Sequence, residues 1–239
     1  MRKVKFTLIE ILVVCSVIGI LASMVLPALR DARDSAKAAI CLGNERQIGV
    51  AITIYLEDSD GYFPTTEIPD ISWDDRLGMG YDGRKLTNDQ LMSSTPGYYS
   101  LYHCPADQIP VNNSNRARRT YSINHGSNND NNNKRRGVAG DGDSLRIGEV
   151  GDPSNGIMIF EYQFDNNQIG AGARAERYAD HLKNTMDEAS AWQHGFWKMN
   201  YLMVDGSARS ETFEGTFLGL RSPWGSTHDV RDTMWDCMK

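Results

Sequence analysis

From Phe6 to Leu29 the chain runs for 24 residues with Glu10 as its only ionisable side chain besides the Cys15 thiol. A helix needs roughly 20 mostly apolar residues to cross the hydrocarbon of a bilayer, so this run is long enough to span one. Arg2, Lys3 and Lys5 stand immediately before it. That positive leader predicts a cytoplasmic N-terminus, with the bulk of the chain on the far side of the membrane. The competing reading is a cleaved secretory signal, whose apolar core would be only about 7–15 residues long and end at a small-residue site. Here the run is longer, carries a carboxylate and passes into a continued helical pattern. Glu10 would cost on the order of 3 kcal/mol at mid-bilayer, less near the interface. Such a group pairs with something or snorkels to a helix end. Were the chain cut before Phe6, the new α-amino group would be a cation in the same apolar layer. The Glu10 of one subunit would then neutralise the Phe6 amine of its neighbour.

After Leu29 the character changes. Mean hydropathy is −0.47 despite the N-terminal run, so the remainder should be water-soluble. Net charge is −6, and removing the +3 leader leaves −9. An acidic exterior argues against general affinity for nucleic acid or anionic lipid. Of four cysteines, Cys15 sits in the apolar run as a small packing residue. Cys41, Cys104 and Cys237 lie on the exported side, where disulfides persist. Cys41–Cys104 is the preferred pair because both belong to segments expected to pack on the domain core, although spacing alone leaves connectivity with Cys237 open. No pair has zinc-finger spacing, which argues against a structural zinc.

Beyond Pro27, Leu29, Ala32, Ala36, Ala39, Ile40, Gly43, Ile48, Ala51, Ile54 and Tyr55 recur at helical steps. This predicts one amphipathic stripe over 30–57, ended by Asp58-Ser59-Asp60-Gly61 and Pro64. The globular part follows over 58–239, loop-rich from 65 to 150 and β-rich from 151 to 215. Residues 111–133 hold nine asparagines, with basic clusters (Arg116, Arg118, Arg119; Lys134, Arg135, Arg136) in or beside them. Without interleaved aromatics to stack bases, this reads as a solvated, flexible loop rather than a nucleic-acid patch. Asn112-Asn113-Ser114 fits a glycosylation sequon. Strands are predicted over Gly156–Tyr162, Met199–Val204 and Ser207–Phe213, the last two joined by Asp205-Gly206 as a two-residue type I′ hairpin. The expected fold class is α+β, a long helix packed on an antiparallel sheet.

Lys5-Phe6-Thr7-Leu8-Ile9-Glu10-Ile11-Leu12-Val13-Val14 resembles the class III signal of type IV prepilins and type II secretion pseudopilins. The resemblance implies that a prepilin peptidase cuts before Phe6 and methylates its amine, and that Glu10 guides assembly. Pro27 falls where that family commonly has a helix-kinking proline. One position departs, since the family usually has Gly before the Phe and this chain has Lys5. Either the peptidase accepts a basic residue or the leader stays. A second resemblance, to a large bacterial prepilin-like family, covers Cys41, Asn44, Gln47-Ile48-Gly49, Tyr55, Asp60-Gly61, Phe63-Pro64, Cys104-Pro105 and Tyr121-Ser122-Ile123-Asn124. It closes with His194 and Asp205-Gly206, separated by one residue more than is usual, and with Ser207 where the family often has His.

The function these readings imply is a subunit that self-associates into a filament, a pilus or a pseudopilus. Its partners would be neighbouring copies, the prepilin peptidase, an inner-membrane assembly machinery and membrane lipid. The alternative is a single-span anchor carrying an extracytoplasmic carbohydrate- or surface-binding domain. The chain has no His-Glu-x-x-His or Gly-x-Ser-x-Gly pattern, and Asp205 and His194 are explained by a turn and a strand end, so no enzyme is expected. No cofactor is expected either. Calcium is the candidate exception, because major pseudopilins bind it in a loop of the sheet. Asp58–Asp60, Asp141–Asp143 and Asp165-Asn166-Asn167 are acidic-polar stretches, and none completes an EF-hand. Trp73, Trp192, Trp197, Trp224 and Trp235 read as packing rather than a sugar-binding face.

Overall fold

The structure, a computed structural model, describes residues 7–66, 71–87, 90, 99–110, 117–125, 137–139, 142–162, 167–169, 194, 198–220 and 230–238. Helix α1 (Leu8–Asp58) is continuous for 51 residues, about 77 Å at 1.5 Å per residue. It passes through Pro27 without interruption, although proline lacks the N–H that would reach the carbonyl one turn back. The helix stops where the backbone turns left-handed, at Asp60 (φ 51°) and Gly61 (φ 80°). There the Gly61 N–H donates to the Leu56 carbonyl at 2.9 Å, closing the last turn.

Among the described residues, it is the second half of α1 that docks on the domain. Its buried face is Cys41, Glu45, Ile48, Gly49, Ala51 and Ile52. The predicted stripe is therefore rotated: Ile40 and Ile54 stay exposed, and a glutamate lies on the buried side. Gly49 allows the close approach, since a Cβ there would meet the Leu202 methyls at 3.2 Å.

The sheet is antiparallel, in order β1 (Tyr121–Ile123), β2 (Ile157–Glu161), β3 (Lys198–Met203) and β4 (Ala208–Thr212). Together with α1 this is an α+β, pilin-like arrangement. Along β3 the side chains alternate, with Leu202 packed toward α1 and Met199, Tyr201 and Met203 on the other face. That second face is sealed by the C-terminal segment. Trp235 stacks edge-on to Phe160 (5.1 Å) and Tyr201 (6.0 Å), while its Nε1 donates to Thr216. Trp73 is also fully buried, so both described tryptophans of the five are packing residues. The other three lie outside the described residues.

Two expectations are corrected here. The β3–β4 connection is not a type I′ turn, because only Gly206 (φ 84°) has positive φ and Asp205 does not. The Gly206 N–H donates to the Met203 carbonyl and the Met203 N–H to the Ser207 carbonyl. The loop is thus three residues long, closing on a left-handed glycine, the next commonest hairpin solution. Arg118 and Arg119 are not in a solvated loop: they are 6% and 0% exposed. Arg118 Nε donates to Asp107 at 2.8 Å, and Arg119 Nη1 to Asp74 at the start of α2 (Trp73–Gly78). Burying a guanidinium requires a carboxylate partner, and the sequence places both out of local reach.

Candidate functional site

The first site is the N-terminal half of α1. Among the described residues, none of its membrane-length window is buried. Its apolar side chains are open, Leu8 to 81% and Leu26 to 65%. An apolar surface of this length needs lipid or other protein to cover it. Glu10 sits in the first turn. Its carboxylate accepts from the Thr7 N–H (2.7 Å) and the Thr7 hydroxyl (2.8 Å), while the Glu10 N–H donates back to that hydroxyl (3.3 Å). This reciprocal pair is a capping box. Glu10 therefore has a local role as helix cap that its apolar surroundings did not suggest. Lys5 and Phe6 lie outside the described residues. Pro27 lies within the open segment.

The second site lies where α1 meets the sheet. Cys41 on α1 and Cys104, just after the turn at Ser100–Tyr102, form a disulfide across 63 residues of sequence. By loop-closure entropy a link of that span stabilises the fold by about 4 kcal/mol. His194 lies against it, with Nε2 at 3.5 Å from Cys104 Sγ and 2.8 Å from Glu161 Oε1. The other Glu161 oxygen accepts from the Asn200 N–H at 3.0 Å. Cys237 is in no disulfide and is buried elsewhere, its Sγ accepting from Asn124 Nδ2 and donating to the Ile157 carbonyl.

Glu45, one helical turn after Cys41, is fully buried, and neither carboxylate oxygen has a hydrogen-bond partner among the described residues. Burial, then the nearby Glu161 charge, pushes its carboxyl well above the ordinary 4.5, against a smaller opposing effect of Arg46. The folded state thus holds a proton that the unfolded chain releases, and stability falls as pH rises above about 4.5. Replacing Glu45 by Met is expected to stabilise the chain by roughly 1–3 kcal/mol at pH 7 and by much less at pH 4. Urea unfolding at the two pH values checks this; an equal gain at both would show that Glu45 is not holding a proton.

The residues singled out from sequence divide accordingly. His194 and Asp205 flank opposite ends of β3 and do not meet. Asp205 is exposed and accepts from the Ser207 hydroxyl in the hairpin, whereas the partner of His194 is Glu161. Neither Glu161 nor Glu45 was singled out. Their signals were a lone carboxylate closing the apolar run of β2, and a glutamate four residues after a cysteine on one helix face. Of the acidic stretches, Asp58 accepts from the Tyr81 hydroxyl at 3.2 Å, and buried Asn167 accepts from Arg119 Nε at 2.9 Å. Asp141, Asp165 and Asn166 lie outside the described residues.

A bare apolar half-helix continuing into a half that docks on a four-stranded antiparallel sheet defines a pilin-like architecture. Over 62 residues the chain is 40% identical to the type II secretion system core protein G of Pseudomonas aeruginosa, a stretch amounting to 26% of this chain. It spans 43% of that relative's length, less than half. The similarity supports a pilin-like family and a pilin-like structural role. No family model matches the chain, and no solved structure matches it.

Proposed function

We propose that the chain is a structural subunit of a type IV pilus or a type II secretion-type pseudopilus, and that it acts by assembly rather than catalysis. The observation that carries this reading is the open apolar half of α1 with a carboxylate in its first turn. A subunit of this kind rests in the inner membrane with its N-terminus cytoplasmic and its domain outside. Extraction then buries Leu8–Leu29 among the same segments of neighbouring copies. Cleavage before Phe6 supplies the amine that Glu10 neutralises, and Lys5 is the residue the peptidase must accept. The similarity to core protein G favours the secretion pseudopilus over an adhesive pilus.

N-terminal sequencing of the protein from sheared surface filaments and from membranes tests this directly. The expected result is a chain in the filament fraction that begins at Phe6 with a methylated amine. A chain beginning at Met1 and confined to membranes would sink the proposal and favour the anchored binding domain.

A further inference from the structure

The geometry points to a zinc site formed by Cys41, Cys104, Glu161 and His194 when the disulfide is reduced. The four ligand atoms, two Sγ, one carboxylate oxygen and one ring nitrogen, all lie within 4.8 Å of one another. Three separate pieces of the fold and His194 supply them: α1, the segment after Ser100–Tyr102, and the end of β2. Zinc bonds of about 2.3 Å to sulfur and about 2.0–2.2 Å to nitrogen and oxygen give tetrahedral edges of about 3.2–3.8 Å. The 3.5 Å between Cys104 and His194 already matches such an edge, the 2.8 Å between His194 and Glu161 must open by about half an ångström, and the two sulfurs must part.

The surroundings are those of a binding site. The side chains are buried, His194 to 2% exposure and Glu161 to 0%. Glu161 is held by both the backbone and side-chain nitrogens of Asn200, at 3.0 and 3.2 Å. His194 Nδ1 has no partner among the described residues, leaving it free to carry the ring proton while Nε2 binds metal. Glu45, fully buried with no partner for either oxygen among the described residues, does not join the ligand set. Two sulfurs, an imidazole and one carboxylate select zinc over the oxygen-seeking calcium or magnesium.

The chemistry balances with an external dithiol as reductant. The dithiol gives two electrons and two protons to the Cys41–Cys104 bond and becomes a disulfide itself. Zinc then binds the two thiols with release of their two protons, while Glu161 and neutral His194 bind without further proton loss. Disulfide and zinc are alternative cross-links at one place, each fastening α1 to the sheet.

The test uses the full-length chain in detergent, reduced with a phosphine, stripped with chelator and given zinc alone. One equivalent of zinc should remain after gel filtration, against none for the oxidised chain. Cobalt in its place should give the thiolate charge-transfer and tetrahedral absorption bands of a two-sulfur site, a readout that needs no variant. His194→Ala and Glu161→Gln should each weaken zinc at least tenfold. Absence of the cobalt bands in the reduced chain, or zinc binding that survives in a Cys41→Ser, Cys104→Ser double variant, overturns the assignment.

Discussion

Replacing Glu10 by Leu is expected to abolish filament assembly while leaving the chain in the membrane. Insertion should not suffer, because a carboxylate in the apolar layer is a cost of up to about 3 kcal/mol that leucine removes. Assembly should suffer, because an uncompensated Phe6 amine among packed apolar helices would carry the corresponding penalty. The capping box complicates this test, since Glu10 also closes the first turn through Thr7. Loss of a cap costs about 1 kcal/mol of helix stability. Glu10→Gln separates the two roles. Glutamine serves a capping box as well as glutamate does, but it carries no charge. If neutralising a neighbour's amine is what Glu10 does, both variants fail to form sheared filaments and both fractionate with membranes. Filaments from Glu10→Gln in normal yield would reduce Glu10 to a cap and remove the basis for charge-guided assembly.

The parts of the fold legible in the sequence are those governed by local pattern. The apolar run, the end of α1 at Asp58-Ser59-Asp60-Gly61 and strands β2 to β4 follow from periodicity and turn residues. Strand β1 and α2 carry too few residues for any period to show, three and six; they exist because the sheet edge and the core hold them. The docking face of α1 departs from the periodic stripe for a related reason. Hydrophobicity assigns Ile40 and Ile54 to the interior, but the sheet meets the helix along the line of Cys41, Glu45, Ile48 and Ile52, which only tertiary contact selects. The apolar run of α1 shows in the sequence as a segment, whereas the cluster of His194, Glu161 and the disulfide does not. Its members are spread from residue 41 to residue 194, and no spacing rule links four elements that come together only in three dimensions.

Among stability changes, the largest is expected from Asp74→Ala, at about 3–5 kcal/mol. Asp74 is completely buried and meets Arg119, itself completely buried, with Arg84 Nη1 at 3.5 Å from its other oxygen and the Ser72 hydroxyl donating to it. Arg84 keeps Asp82, at 2.6 Å, when Asp74 is lost. Arg119 then keeps the neutral side-chain oxygen of Asn167, the face of Trp73 at 5.4 Å and the nearby Asp75 charge, but loses the carboxylate it touches, so its charge is left under-compensated in the core. Burial alone would raise the Asp74 carboxyl, but Arg119 and then Arg84 outweigh it and hold it below the ordinary 3.8. The stability it contributes is therefore present above pH 3.8 and lost as pH falls through the lower folded value, so the deficit of the variant should shrink in strong acid. Asp75 gives an internal check. Burial and then the adjacent Asp74 charge push it up to about 6, and removing Asp74 should bring it down. Urea midpoints read from Trp73 and Trp235 fluorescence supply the measurement, with Asp74→Leu, Arg119→Met as the compensated pair. Replacing both charges should recover most of the loss, since a packed apolar pair needs no counter-ion. A double variant as unstable as Asp74→Ala alone would mean that shape, rather than the stranded charge, sets the cost at this position.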